Sequence, residues 1–401
     1  MRTVFSGGDV FDARSATTSR ADVAIEDGRI TEIGTGLDGD RSIDVSGRCL
    51  LPGLFDCHTH PLYTDVDVMR MLQSPFSYRF YEAARNLKAT LDVGITTVRD
   101  AGGSDLGIKQ AVESGLIPGP RMQISIVMLS QTGGHGDEWM PCGAWIPYFH
   151  IDYPGVPHPI VDGPDEMRRK VRELIRNGAD VIKVATTGGV LSPRDDPRHA
   201  HFRDDELQVL VAEASAAGRW VMAHAQGAEG IKAAVRAGIR SIEHGIFLDD
   251  EAIQLMLDRG TYLVPTLVAP GGVLLAAERG AQIPEASLQK ARETIDIHRE
   301  SISKAIAAGV KVAMGTDSGV TPHGENLREL ELMEELGMTP GEALQATTLT
   351  AAELMGLEDE LGSLEPGKRA DVVVVQGDPF DFKTLAERID AVYKDGDRVR
   401  G

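Results

Sequence analysis

Two histidines one residue apart end an apolar segment near the start of the chain. The segment LFDCHTH, residues 54–60, is too apolar for a loop and follows the Pro52-Gly53 turn signal. In a β-strand, side chains alternate faces with a period of two, so His58 and His60 point to the same side and can bind one metal ion together. An isolated His-x-His pair can instead line a polar pocket, and the rest of the chain must decide between the two interpretations.

Further polar residues stand at or near the ends of later apolar segments, namely Lys183, His224, His244 and Asp317. Each has a structural alternative, since a lysine can serve in an ion pair, a histidine can be satisfied in the core and an aspartate can cap a helix. Together with the first two histidines they comprise four imidazoles, an amine and a carboxylate. Imidazole and carboxylate are the usual ligands of zinc and similar ions, so the joint pattern favours a metal site.

The fold that would bring these residues together follows from the order of apolar and amphipathic segments. From residue 54 onward, short apolar segments alternate with longer helical ones, which is the pattern of parallel βαβ units. The strand candidates are 54–60, 95–102, 121–127, 180–187, 220–226, 241–245, 261–268 and 310–318. Eight such units predict a TIM barrel, whose active site lies at the C-terminal ends of the strands. All six polar residues lie at or near those ends.

The two ends of the chain have a different pattern. Residues 1–53 contain short strand segments with tight turns, including a hairpin turn at Asp27-Gly28, and a β-rich pattern returns after about residue 357. We therefore predict an α/β protein in which a (β/α)8 barrel, residues 54–357, is inserted into a small composite β-sandwich formed by residues 1–53 and 358–401.

Composition narrows the class of protein. The chain has 401 residues, 42% of them hydrophobic and 25% charged, and lacks a run of the roughly 18 apolar residues that a membrane helix needs. Its net charge of −20 would repel nucleic acid and anionic membranes. No secretory signal is apparent, and Cys49, Cys57 and Cys142 do not suggest a disulfide framework. We expect a cytoplasmic enzyme with a small-molecule substrate. The sequence leaves the oligomeric state undecided, and a homo-oligomer is one of the alternatives.

The motifs PGLFDCHTH, VIKVATTGG, AHAQG, IEHG and GTDSG resemble, in this order, those of the amidohydrolase superfamily, and LEPGKRADVVVV is similar to part of its composite β-sandwich. The resemblance spans almost the whole chain. It implies two divalent metal ions, expected to be zinc, held by His58, His60 and Asp317 at one site and by His224 and His244 at the other, with N-carboxylated Lys183 bridging them. Carboxylation is chemically reasonable, because an ammonium has no lone pair for a cation whereas a carbamate offers two anionic oxygens.

The resemblance also implies a mechanism and further site residues. Two cations about 3.5–4 Å apart lower the pKa of a bridging water, and Asp317 would shuttle its proton to the leaving amine. His135 lies in a glycine- and proline-rich loop, Leu129 to Pro164, that also contains Trp139, Trp145, Tyr148, Phe149 and Tyr153. His135 could polarise the scissile carbonyl or bind the substrate, and its structural alternative is a hydrogen bond that pins the loop.

Within the superfamily, the chain is most similar to the imidazolonepropionase-related branch of prolidase-like and Xaa-Arg dipeptidase-like enzymes, which cleave Xaa-Pro, Xaa-Arg or Xaa-Lys bonds. The segments TGGHGD and GGVLSPRDDPRHAHF and the DSG turn carry this similarity. Some of these peptidases have a tyrosine two residues after the strand-five histidine. Here the position is Gln226, which we predict to contact the substrate.

Three functions stay open at this point. The first is a binuclear zinc-dependent hydrolase of a linear amide, a dipeptide or an N-acyl amino acid. The second is a cyclic-amide hydrolase or deaminase similar to imidazolonepropionase, or an amidase for aryl or xenobiotic amides. The third is a catalytically silent barrel that acts as a scaffold. All six ligand positions are filled, which argues against the scaffold, and the long aromatic-bearing loop favours a linear substrate over a ring.

Overall fold

The computed structural model describes residues 1–146, 150–151 and 153–401. Its strands are β1 (Thr3–Asp12), β2 (Thr17–Glu26), β3 (Arg29–Gly34), β4 (Arg41–Asp44), β5 (Arg48–Pro52), β6 (Leu54–Thr59), β7 (Ile95–Asp100), β8 (Arg121–Ile124), β9 (Met128–Leu129), β10 (Val181–Ala185), β11 (Trp220–Ala225), β12 (Ser241–His244), β13 (Tyr262–Val264), β14 (Val372–Gln376), β15 (Ile389–Lys394) and β16 (Asp397–Arg400). Its α-helices are α1 (Val68–Gln73), α2 (Tyr78–Asp92), α3 (Leu106–Glu113), α4 (Pro164–Arg176), α5 (Asp204–Ala216), α6 (Ala228–Ala237), α7 (Asp250–Arg259), α8 (Val268–Glu278), α9 (Glu285–Ala308), α10 (Arg328–Glu335), α11 (Pro340–Ala346) and α12 (Leu349–Met355).

The two ends of the chain meet in one sheet. Its strand order is β16-β15-β14-β5-β1-β2-β3, with β4 beside β1. The ends are joined where β14 runs antiparallel to β5, with Val373 opposite Leu51. The predicted hairpin turn connects β2 to β3, and Asp27 and Gly28 have φ angles of 48° and 75°, as a two-residue turn of this kind requires. The N- and C-terminal segments thus build one β unit, as predicted.

The middle of the chain supplies the barrel strands. One parallel sheet has the order β6-β7-β8 and a second has the order β13-β12-β11-β10-β9. The third predicted strand, residues 121–127, is regular only over β8, which pairs with β7. The short strand β9 begins just after the predicted range and pairs with β10. Between β8 and β9, Ile126 has a φ of 70°, which no regular strand tolerates.

The eighth predicted strand, residues 310–318, lies in the expected place without forming a regular strand. Isolated parallel bridges join Val312 to β13 and Ser318 to β6, so the segment spans the gap between the two sheets. Gly315 passes so close to His58 that an added Cβ would lie 3.0 Å from the histidine backbone nitrogen. Asp317 has a left-handed φ of 59°. These two features interrupt regular pairing while the barrel architecture is kept.

The helices end where local sequence favours it. The side chain of Asp249 caps α7 by accepting from the backbone of Ala252, and Gly260 and Gly309 end α7 and α9 in the left-handed conformation. In the part of the chain that the structure describes, no helix has both the length and the apolar character needed to cross a bilayer.

Arg121 links the barrel to the terminal sheet and gives a stability prediction. Its guanidinium donates to Asp371 at 3.1 Å and to Asp395 at 3.0 Å, and the Asp371 side chain is 2% exposed. We expect Arg121→Met to lower the free energy of unfolding by about 3 kcal/mol, because a buried carboxylate loses its cation. Urea unfolding measures this loss. The control Arg172→Met breaks a pair whose arginine is 64% exposed, and a loss as large in the control would contradict the prediction.

Candidate metal centre

The six polar residues predicted at strand ends converge on one cavity at the C-terminal end of the barrel. Its lining includes His58, His60, Lys183, His224, His244 and Asp317. They come from five separate parts of the chain, since His58 and His60 share one segment, and their meeting follows from the parallel arrangement of the strands. The structure therefore brings together every residue of the predicted ligand set, although their role as ligands stays a prediction.

Two imidazoles and a carboxylate form the tightest part of this group. Donor atoms of His58, His244 and Asp317 all lie within 4.8 Å of one another. Asp317 Oδ1 is 3.4 Å from His58 Nε2 and 3.1 Å from His60 Nε2. The ring of His224 packs beside that of His244, with centroids 4.7 Å apart. Imidazole nitrogens and a carboxylate oxygen at this spacing match the donor set of a cation such as zinc.

Each of the four histidines has one ring nitrogen in contact with an oxygen atom of a neighbouring residue. The contacts are His58 Nδ1 to Glu243 Oε2 at 2.7 Å, His60 Nδ1 to the Gly102 carbonyl at 2.7 Å, His224 Nε2 to the Gly188 carbonyl at 3.0 Å, and His244 Nδ1 to Thr266 Oγ1 at 2.8 Å. A carbonyl or carboxylate oxygen only accepts and so fixes a proton on the nitrogen that it contacts, as at His58, His60 and His224, whereas the Thr266 hydroxyl can donate or accept. In a neutral ring with one nitrogen protonated in this way, the opposite nitrogen keeps its lone pair, which is the arrangement that metal-binding histidines adopt.

The backbone turns sharply where the strands deliver these side chains. His244, Thr266 and Asp317 have φ angles of 72°, 52° and 59°, a region that residues other than glycine seldom occupy. Such strained positions cluster at functional sites, where the surrounding structure enforces them. In a regular strand, Glu243 and His244 would face opposite sides. The turn at His244 allows both side chains to lie inside the barrel.

A buried ion pair lies against His58 and was missed by reasoning from sequence. Arg99 Nη2 donates to Glu243 Oε1 at 2.9 Å, and the two side chains are 3% and 0% exposed. Arg99 also donates to the Cys57 carbonyl at 2.7 Å, and Ser241 donates to Glu243 at 2.5 Å. A charged residue within each of the apolar segments ITTVRD and SIEH was the available signal, since unpaired charges are almost never buried.

Lys183 is the one proposed ligand whose polar atom lacks a contact. Its side chain is fully buried, and its Nζ has no hydrogen-bond partner in the residues that the structure describes. Burial lowers the pKa of Lys183 to about 8, so the neutral amine is accessible near neutral pH. A buried amine without a partner is costly, and this nitrogen therefore fits a covalent or coordinated group that would satisfy it.

Burial and the local charges also set the protonation states of the other groups. Burial lowers the pKa of His244 to about 3 and holds the pKa values of His58 and His224 well below their ordinary range. Burial alone would raise the pKa of Asp317, but the neighbouring imidazoles of His58 and His60 outweigh it and hold this pKa far below its usual range. His60 differs, because burial would lower its pKa but the hydrogen bond with Asp317 outweighs burial and raises it. Neutral imidazoles, as at His58, His224 and His244, beside an ionised carboxylate are the forms that bind a cation.

His135 and Gln226 also line the cavity. The His135 ring stacks on that of His224, with centroids 4.1 Å apart, and its Nδ1 lies 2.8 Å from Ser192 Oγ. Gln226 is buried, and its Oε1 has no hydrogen-bond partner within the described residues. Their contacts with a substrate stay predictions.

The long loop between β9 and α4 contributes to the cavity wall. Ile151, Tyr153 and Val156 are among its lining residues, as expected for a functional loop. Trp139 and Trp145 form an isolated bridge to each other. Tyr148 and Phe149 lie outside the described residues.

Comparison with known proteins identifies the family. The profile of the Amidohydrolase family matches residues 49–399. The chain belongs to the amidohydrolase family. It is 36% identical to ochratoxinase from Aspergillus niger over 369 residues, which cover 88% of this chain and 76% of that protein. It is similar to the crystal structure of an Xaa-Pro dipeptidase with methionine in its active site, with 35% identity, a TM-score of 0.91 and complete coverage of both chains.

A more distant relative agrees with this assignment. Imidazolonepropionase from Geobacillus sp. strain WCH70 is 25% identical over 396 residues, which cover 88% of this chain and 82% of that protein. The predicted resemblance to an imidazolonepropionase-related, prolidase-like branch is thereby confirmed. Amidohydrolases are generally metal-dependent, and the cluster of His58, His244 and Asp317 is consistent with this property.

The buried histidines predict how stability depends on pH in metal-free protein. His298 is buried, donates from Nε2 to the His244 carbonyl at 2.8 Å, and has a pKa that burial lowers from 6.5 to about 4. The unfolded chain therefore binds a proton between about pH 6.5 and pH 4 that the folded chain does not bind. Stability is lost as the pH falls through this window, by roughly 3 kcal/mol from His298 alone.

We expect His298→Gln to remove this part of the acid sensitivity. Urea unfolding of metal-free protein at pH 7 and pH 4.5 measures the difference. The variant His199→Gln is the control, because His199 is exposed. An unchanged slope in the His298 variant would contradict the assignment.

Proposed function

We propose that this amidohydrolase hydrolyses linear amide bonds with the help of two divalent metal ions, and that its substrates are dipeptides or N-acyl amino acids. The observation that carries the proposal is the buried, unpartnered amine of Lys183 beside four imidazoles and a carboxylate. A single tetrahedral ion cannot use this many donors. The similarity to ochratoxinase and to an Xaa-Pro dipeptidase supports an amide substrate.

The donor set divides between two ions. His58, His60 and Asp317 would hold one, His224 and His244 would hold the other, and Lys183 would contribute to both as an N-carboxylated side chain. The unpartnered Nζ supports carboxylation, because a neutral amine can combine with carbon dioxide and the resulting carbamate would satisfy the buried nitrogen. Zinc is the proposed metal, since the set is made of imidazole nitrogens and anionic oxygens.

The side chains then have separate tasks in hydrolysis. Bound divalent ions would supply Lewis acidity and lower the pKa of the attacking water. Asp317 accepts the proton of that water and passes it to the leaving amine nitrogen, which its ionised state allows. His135 faces the cavity and would hydrogen-bond to the scissile carbonyl oxygen, while Gln226 would contact the substrate beside the amide.

The wall of the cavity favours an apolar group next to the scissile bond. Its lining residues include Leu62, Val66, Ile126, Val190, Ile246 and Val273. Burying apolar surface against such a wall contributes about 25 cal/mol per Å². We therefore propose that the preferred substrates carry a large apolar side chain beside the amide.

A substrate panel tests this function. We expect zinc-loaded protein to hydrolyse N-acyl-Leu, N-acyl-Phe and the matching dipeptides with kcat/KM at least about tenfold above that for N-acyl-Asp, because one apolar group is worth 1–3 kcal/mol in such a pocket. Asp317→Asn should lower kcat by on the order of 100-fold or more, since the proton acceptor is lost. Turnover of cyclic amides alone, or of none of these compounds, would contradict the proposal.

Replacing Lys183 tests the two-ion arrangement. Lys183→Ala should reduce the metal content from about two ions per chain and abolish most activity, and short carboxylic acids should restore part of both by replacing the carbamate oxygens. The control Lys232→Ala removes another buried lysine, one that pairs with Asp249 and Glu251. The control should lose stability but keep its metal. Elemental analysis measures the metal content and a turnover assay measures the activity. A Lys183 variant with full metal content and ordinary turnover would contradict the two-ion arrangement.

A further inference from the structure

A polar cluster outside the proposed ligands surrounds His135. Ser192 and Asp195 come from the loop that follows β10, and Lys290 comes from α9. His135 Nδ1 lies 2.8 Å from Ser192 Oγ and 3.4 Å from Asp195 Oδ2. The Ser192 and Asp195 side chains are buried, so water competes little for these contacts.

The hydrogen bonds of Ser192 assign the proton on His135. The serine hydroxyl has one hydrogen, and its oxygen is in close contact with the carboxylate of Asp195 and 3.3 Å from the Gly189 carbonyl. Both of these groups only accept, so the hydroxyl donates to one of them. Its oxygen is left to accept from His135, and Nδ1 must therefore carry a proton.

The contacts of Asp195 keep its carboxylate ionised in this cluster. Burial alone would raise its pKa, but the contacts with His135, Ser192 and Lys290 outweigh burial and lower the pKa of Asp195 to about 2. The carboxylate also accepts from the backbone of Gly189 at 3.1 Å. A carboxylate that orients a histidine through its Nδ1 side is a recurring device for fixing the tautomer of a catalytic imidazole.

Lys290 holds the loop that carries this carboxylate. Its ammonium donates to the carbonyl oxygens of Gly189 at 2.9 Å, Ser192 at 2.7 Å and Asp195 at 2.5 Å. It also lies 3.3 Å from Asp195 Oδ1. One side chain of α9 thus satisfies three backbone carbonyls of a loop that has no regular secondary structure.

The ring of His135 is confined from two further directions. It stacks on His224 with an interplanar angle of 16°. Gly189 packs so closely that an added Cβ would lie 2.2 Å from the ring. His135 Nε2 has no hydrogen-bond partner among the residues that the structure describes, and the ring lines the cavity. The nitrogen opposite Ser192 is therefore the one available to a ligand.

We propose that Ser192, Asp195 and Lys290 are positioning residues that fix the ring of His135, with the Nδ1 proton engaged and Nε2 presented to the substrate amide. The catalytic consequence rests on the proposed function. Nε2 is the ring nitrogen that would hydrogen-bond to the substrate amide, and the Asp195 carboxylate lies on the Nδ1 side of the same ring. The described contacts of the Ser192, Asp195 and Lys290 side chains include none of the proposed metal ligands, so substitutions that leave the loop backbone in place should leave the metal content unchanged.

A double-mutant cycle tests whether Asp195 acts through His135. Asp195→Asn removes the negative charge that accepts from Ser192 and lies 3.4 Å from His135 Nδ1, so kcat on N-acyl-Leu should fall by at least about tenfold with metal content unchanged. In the His135→Ala background the same substitution should cost nothing further, because residues that act as a unit are not additive. An equal loss in both backgrounds, or a loss of metal in Asp195→Asn, would overturn the proposal.

A spectroscopic readout separates this proposal from the proposed function. In protein labelled with 15N-histidine, the signals absent from His135→Ala identify this ring. Its Nδ1 should show a bonded proton in the wild type, and Asp195→Asn or Ser192→Ala should shift that signal. An unprotonated Nδ1 in the wild type overturns the proposal even if amides are hydrolysed. A protonated Nδ1 that shifts as expected supports it even if no amide is hydrolysed.

The role of Lys290 has its own matched control. Lys290→Met should expose the loop of residues 188–196 to faster amide hydrogen exchange and lower kcat more than it changes KM. Lys304→Met makes the same substitution on the same helix, where the lysine is exposed and pairs with Glu300. The control should change neither quantity. Unchanged amide hydrogen exchange in Lys290→Met would overturn the role of Lys290 in holding this loop.

Discussion

The buried ion pair between Arg99 and Glu243 is the interaction on which the barrel and its centre both depend. Taking two charges out of water costs several kcal/mol per ion, and the cost is offset only when each partner is fully hydrogen-bonded. Here Arg99 on β7 reaches Glu243 on β12 and the Cys57 carbonyl on β6, so the pair joins three strands across the interior. Glu243 in turn holds His58 Nδ1 at 2.7 Å. The same carboxylate therefore neutralises a buried cation and fixes the imidazole whose Nε2 faces Asp317.

The candidate metal centre contains several features that cost free energy, and packing in the rest of the fold must offset that cost. Left-handed backbone at His244, Thr266 and Asp317 costs on the order of 1–3 kcal/mol at each residue. The unpartnered amine of Lys183 adds a desolvation cost of similar size. These costs are tolerated because the strands on either side are packed and paired, which leaves the short connecting turns no alternative path. Strain at the strand ends directs side chains inward, where regular strand geometry would send alternate residues outward.

The meeting of the six side chains in one cavity could be predicted from the sequence because one rule governs it. Parallel strands end on the same side of a barrel, so polar residues at the ends of apolar segments must meet, and His58, Lys183 and Asp317 follow this rule. Glu243 was missed because it is adjacent to His244, and a period of two assigns neighbours to opposite faces. Ser192 and Asp195 were missed because an irregular loop has no periodicity from which a facing side can be inferred. The position of the eighth strand was predicted, but its irregular backbone was not. The close approach of Gly315 to His58 depends on packing between distant segments, which a local pattern does not show.

The loop after β10 couples the two halves of the centre. Near the start of this loop, the Gly188 carbonyl accepts from His224 Nε2 at 3.0 Å, and Gly189 packs on the ring of His135. The stacked rings of His135 and His224 thus share one support, which Lys290 holds from α9. A displacement of this loop cannot change the substrate side of the cavity without also moving the contact that orients a proposed metal ligand. Selection for a new substrate through this loop is therefore constrained by metal binding.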